Sequence, residues 1–123
     1  MVLAVVDDLL FSSKIRAVAK ANGGQVTFVR QRAAVIDGIR THQPDLVIFD
    51  LDRAELDPIG AIREIKSQPD LAHVKLLGFG SHVHAERFAE ARAAGLDVAM
   101  ARSGFVVALP QLVAGDGQKS PAS

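Results

Sequence analysis

Cysteine is absent from this 123-residue chain, which excludes disulfides and thiolate metal sites and suits a reducing cytosol. An excess of either charge is missing too. Fourteen Lys and Arg side chains meet fourteen Asp and Glu, so nothing in the overall charge asks for a nucleic-acid or membrane surface. No apolar run reaches the roughly 18 residues of a membrane span, and the opening "MVLAVVDDLL" meets two acids before any basic segment, unlike a secretory leader. The expectation is a soluble, cytoplasmic chain that binds neither nucleic acid nor membrane. Glycine is not gathered into a phosphate loop either: "GFGSHV" (78–83) lacks the third glycine of a dinucleotide loop and follows the fourth apolar run, not the first.

What is present is alternation. The runs "VLAVV" (2–6), "QVTFV" (25–29), "DLVIF" (45–49), "VKLLGF" (74–79) and "DVAMA" (97–101) are strand candidates. Between them Phe11, Ile15 and Val18, then Val35, Ile36 and Ile39, then Ile59, Ile62 and Ile65, then Phe88 and Ala91 repeat at helical spacing. Asn22-Gly23-Gly24, Pro44, Pro69 and Gly95 stand where those helices should stop. Five β-α units with short, right-handed connections predict an α/β fold: a five-stranded parallel sheet of order 2-1-3-4-5 with helices on both faces. Residues 1–114 should form a single domain, in keeping with the chain's length. The tail "GDGQKSPAS" (115–123) has no periodicity and is expected to be disordered.

Ligands in such sheets bind outside the carboxyl ends of the strands, where the strand order reverses. Asp7 and Asp8 follow the first strand, and "HQPDLVIFDLD" (42–52) ends its buried run on Asp50 and Asp52. Three carboxylates from neighbouring strands repel one another unless a cation sits among them, and hard oxygen ligands suit Mg²⁺. The alternative is that Asp7 and Asp8 cap the following helix. Among the histidines, His82 and His84 are two apart, a spacing that points them to different sides of a helix, so they read as loop residues near a helix start; His42 and His73 have no partner.

"VVDD" closing the first strand and "PDLVIFD" closing the third resemble the receiver domains of two-component response regulators, over about residues 1 to 114. The fold this implies is the flavodoxin-like sheet already expected. The function it implies is phosphoryl uptake from a histidine kinase on the third-strand aspartate, assisted by a divalent ion. Carried over, Asp50 is the phosphoacceptor, Asp8 a direct Mg²⁺ ligand, Asp7 a ligand through water, and Asp52 a ligand through its main-chain carbonyl. A metal at the attacking carboxylate would neutralise the charge on the transferring group.

The departures from that pattern are equally specific. Gly80 stands where the family has the Thr or Ser that contacts the phosphoryl group, with Ser81 one residue on, so that a one-residue adjustment would restore the hydroxyl. Ala99 replaces the aromatic switch residue, Arg102 keeps a cation where the family's lysine contacts the phosphoryl group, and Ser103 replaces the proline after it. A planar guanidinium is a different ligand from the point charge of a lysine. Two readings follow: a phosphorylatable receiver, or an atypical pseudo-receiver that binds protein partners and whose acids hold a metal or nothing. Neither is an enzyme in its own right. With no output domain attached, a signal is expected to leave through a non-covalent partner. The segment "SGFVVALPQLV" (103–113) has almost no polar side. Phe105, Leu109, Leu112 and Val113 should pack on the sheet and Val107 should face outward, a surface suited to a homodimer or, alternatively, buried against the neighbouring helix.

Overall fold

The computed structural model describes residues 1–81 and 83–115, so His82 and most of the expected tail (116–123) lie outside the described residues. Twelve elements follow in order: β1 (Val2–Val5), α1 (Leu9–Ala21), β2 (Val26–Val29), a 3₁₀ turn (Arg32–Ala34), α2 (Val35–His42), β3 (Leu46–Asp50), a 3₁₀ turn (Ala54–Leu56), α3 (Pro58–Ser67), β4 (Lys75–Gly80), α4 (Ala85–Ala94), β5 (Val98–Ala101) and α5 (Arg102–Leu112). The sheet has the order β2-β1-β3-β4-β5 and every pairing is parallel, as expected. β3 runs one residue further than the apolar run suggests: Asp50 itself pairs in register with Phe79 of β4.

Successive strand side chains point to opposite faces, and this alternation divides the core in two. Leu3, Val5, Val47, Phe49 and Leu76 pack against Val35 and Ile39 of α2, Ile62 and Ile65 of α3, and Ala91 of α4. Val2, Ala4, Ile48, Leu77 and Phe79 pack on the other face against Ile15 and Ala19 of α1 and Phe105 and Leu109 of α5. Strands covered on both faces need continuous apolar runs, which is why β1 and β3 are buried at every position. The helix stripes foreseen from spacing face the core, with Ile15, Val35, Ile39, Ile62, Ile65 and Ala91 buried and Phe11, Val18, Ile36, Ile59 and Phe88 partly buried against them. At α5 Phe105, Leu109 and Val113 are fully enclosed, Leu112 is partly buried, and Val107 is 82% exposed.

One turn shapes the carboxyl ends of the strands and another closes the opposite end of the sheet. After β3 the chain folds through the 3₁₀ turn onto Asp57, held at a left-handed φ of 44°, whose side chain accepts the Gly60 N–H to cap α3 just ahead of Pro58. At the far end of the molecule, the α1–β2 turn lies directly under the end of α5: a Cβ on Gly24 would overlap the Val113 carbonyl, and Gly115 N–H donates to the Asn22 carbonyl at 3.2 Å. Only glycine permits that approach.

Phe105 stacks on Phe79 with ring centroids 4.4 Å apart and is fully buried. Phe105→Ala should therefore lose about 3–5 kcal/mol by urea denaturation, whereas Leu10→Gln, at an 86% exposed position, should change stability by less than about 0.5 kcal/mol.

Candidate functional site

The carboxyl ends of β1, β3, β4 and β5 bring Asp7, Asp8, Asp50, Asp52, Ser81 and Arg102 to one rim, as the sequence-derived order requires. Each acid already has a partner there. Asp8 is the N-cap of α1: its Oδ1 accepts the Phe11 N–H at 3.0 Å, so the capping alternative holds for this residue. Asp7 is taken up by Arg53 from the β3–α3 loop. Nη2 donates to Oδ2 at 2.9 Å, and Nε lies 2.9 Å from Oδ1 in an ion pair too misaligned to count as a hydrogen bond.

Asp50 is 2% exposed. Its Oδ1 accepts the N–H of Asp52 at 3.0 Å and its Oδ2 lies 3.7 Å from Nη2 of Arg102. Burial pushes the Asp50 carboxyl above its ordinary value, and the Asp52 N–H and the Arg102 charge only partly offset that. What meets Asp50 from residue 52 is therefore the main-chain N–H, while the side chain of Asp52 is engaged elsewhere.

That side chain is the hub of the rim. Its Oδ2 accepts the Ser81 N–H at 2.8 Å and lies 3.8 Å from Arg102; its Oδ1 stands 3.0 Å from Nδ1 of His84 and 3.6 Å from Nη1 of Arg87. Burial alone would raise the Asp52 carboxyl, but hydrogen bonds from His84 and Ser81, with the charges of His84 and Arg102, bring it below the usual carboxylate range. Gly80 makes room for this arrangement, since a Cβ there would stand 3.0 Å from Asp52 Oδ1.

Arg102 opens α5 and lies over the packed pair of Phe11 and Phe79, its Cζ 5.0 Å from each ring centroid while the two centroids stand 5.2 Å apart. A hollow of about 480 Å³ lined by Ser81, Ala101, Arg102, Ser103 and Val106 adjoins it. A larger hollow of about 740 Å³ lies at the amino-terminal ends of the strands, away from the acids, where Arg40 is already paired with Asp70. Ala99 packs beside the α2–α4 side of the core, and Ser103 is exposed in the first turn of α5.

Two partners in this network, Arg53 and Arg87, are not among the residues singled out from the sequence, and His84, read there as a loop residue near a helix start, stands at the N-cap of α4 beside Asp52. Arg53 carries a signal in the sequence, being a cation three residues past Asp50 on the same loop. Arg87 carries none, because a charge on the first turn of α4 reads equally well as a solvated face.

No protein-family model matches the sequence, and no curated protein matches it. Solved structures do. The signal receiver domain of a response regulator from Bermanella marisrubri superposes with a TM-score of 0.79 at 22% identity, covering 90% of this chain and 92% of that one. This is the receiver fold. The receiver domain of sensor histidine kinase PA1611 from Pseudomonas aeruginosa PAO1, with a magnesium ion in its active-site cleft, gives 0.77 at 21% identity, covering 90% of this chain and 91% of that one. The Mn²⁺-bound response regulator Rcp1 gives 0.75 at 15% identity, covering 90% and 89%.

Receiver structures that hold a divalent ion raise the question of whether these acids fit one. As arranged, they do not. Asp7 is forked by Arg53, Asp8 is turned to the α1 backbone, and Asp50 and Asp52 share Arg102. Among the described residues, no three His, Asp or Glu side chains converge on a common point at metal-ligand distance.

A buried carboxyl whose folded-state value is raised is tolerated best when protonated, so its contribution is fully present below the unfolded value and is lost as pH rises through the folded one. Asp50→Asn should therefore raise the melting temperature at pH 7, by roughly 4 °C for about 1 kcal/mol. The gain should shrink toward zero as pH falls below the ordinary carboxyl value of 3.8. Parallel thermal melts of both proteins from pH 7 downward check the direction and the window.

Proposed function

We propose that the chain acts as a receiver-like signalling domain of the two-component type, atypical in that it works through protein–protein contact with an impaired or absent phospho-switch. One observation carries this reading: the Asp52 carboxylate already takes the Ser81 N–H and gathers Arg102, Arg87 and His84, so the mouth of the Asp50 site is filled by an anion of the chain's own. In a receiver of the usual pattern, the hydroxyl after the fourth strand and the lysine after the fifth contact the phosphoryl group. Here Gly80 has no hydroxyl, Arg102 lies over the Phe11 and Phe79 rings, and the aromatic position holds Ala99.

A second carboxylate, that of Asp52, stands close enough to Asp50 to act on its charge, and it repels an incoming phosphoryl donor. Incubation with acetyl phosphate and Mg²⁺ should accordingly leave the intact mass unchanged. A stoichiometric gain of one phosphoryl group that disappears in Asp50→Ala would overturn the pseudo-receiver reading in favour of a phosphoacceptor that takes its group from a histidine kinase.

The partner is a protein, and the surface proposed for it is the outer side of α5. Val107 is 82% exposed there, with Pro110 also exposed and Ala108 half-buried beside it, opposite the enclosed stripe of Phe105 and Leu109. Identical patches on two copies favour a two-fold pair. Light scattering at around 100 μM, well above the dissociation constant of a specific dimer, should give twice the chain mass, and Val107→Glu should halve it. A monomer at that concentration removes the homodimer, and a dimer indifferent to Val107→Glu moves it to another surface.

A further inference from the structure

The acids of the rim are matched by cations that the chain supplies itself. Arg53 comes from the loop after β3 and Arg102 from the first residue of α5, directly after β5, and neither points to bulk solvent alone. Arg53 faces both oxygens of Asp7, and its main-chain N–H turns back to the Asp50 carbonyl at 3.4 Å, which holds the loop against the carboxyl end of β3. Arg102 stands between Asp50 and Asp52 at 3.7 and 3.8 Å, and the packed Phe11 and Phe79 rings beneath it restrict where its guanidinium can go. Carboxylates at the ends of neighbouring strands need positive charge among them. Here that charge is organic and covalently attached.

We propose that Arg53 and Arg102 take the place of a divalent cation in this rim, so that the folded protein is charge-balanced without metal and Mg²⁺ enters only by displacing them. The proposal does not depend on whether Asp50 is ever phosphorylated. Mg²⁺ demands near-octahedral oxygen ligands at short range and gives up its own water reluctantly. It cannot approach Asp7 while both carboxylate oxygens face Arg53, and a like charge from Arg102 opposes it at Asp50. A planar guanidinium suits the role better than lysine would, because it serves two carboxylates at once and stacks on aromatic faces.

Backbone NMR with MgCl₂ at constant ionic strength tests this, together with broadening by Mn²⁺. In the wild type, the amides of residues 7–9 and 50–53 should stay in place up to about 10 mM, beyond the millimolar range of weak sites. Arg53→Ala removes a half-exposed side chain from a surface loop and should gain about tenfold or more in apparent Mg²⁺ affinity as Asp7 is released. Without metal this variant should melt lower than the wild type, and Mg²⁺ should restore it, a rescue that simple loss of packing would not show. Should Arg53→Ala fail to fold, Arg53→Lys carries the test, since it keeps a charge and loses the fork; its Mg²⁺ response should exceed that of the wild type. Saturable Mg²⁺ shifts with Mn²⁺ broadening in the wild type, or a folded Arg53 variant that responds no more than the wild type, would overturn the proposal.

Discussion

A carboxylate at the end of a strand buried on both faces has lost its water and must be compensated by the chain. Asp50 is that group: it pairs in the sheet opposite Phe79 and is almost fully enclosed. Desolvating a charge is costly unless hydrogen bonds and opposite charge replace the solvent. The turn after β3 supplies the Asp52 N–H, and the start of α5 supplies Arg102. Neither arrangement exists without the other elements of the sheet, so the loops after β3 and β5 are tied to one side chain between them.

Asp52 extends that constraint to the fourth strand. Its carboxylate needs donors in turn and finds them in the Ser81 N–H, His84, Arg87 and Arg102, which draws the β4–α4 loop onto the rim. Gly80 leaves room for it, since a Cβ there would stand 3.0 Å from Asp52 Oδ1. The charge of Asp52 is answered by cations that reach in from α4 and α5.

Among solved proteins with the same fold, one receiver domain has a magnesium ion in its active-site cleft and one response regulator is Mn²⁺-bound. A shared scaffold does not dictate a shared chemistry; that depends on the side chains at the strand ends. In this chain those side chains form salt bridges with one another.

Much of this architecture could be read in the sequence, because it rests on local periodicity. Apolar runs such as 46–49 can be satisfied only by a strand covered on both faces, and triads such as Ile59, Ile62 and Ile65 only by a helix with one apolar stripe. Alternation of the two then leaves a parallel sheet with its acids at the carboxyl ends. The outward position of Val107 follows from helical geometry alone. The pairing within the rim was not legible. Whether Asp7 faces a metal or Arg53, whether Asp8 caps a helix or binds an ion, and whether Asp52 contributes its carbonyl or its carboxylate depend on distances across four strand ends that lie up to 95 residues apart in the chain, from Asp7 to Arg102. A charged side chain on a loop is compatible with many partners until the fold limits which ones stand within about 4 Å. Sequence by itself determined where the carboxylates would gather, since that follows from strand order and register. Only the tertiary structure decided what neutralises them, because Coulomb attraction and hydrogen bonding fall away over a few ångströms and those separations are set by packing.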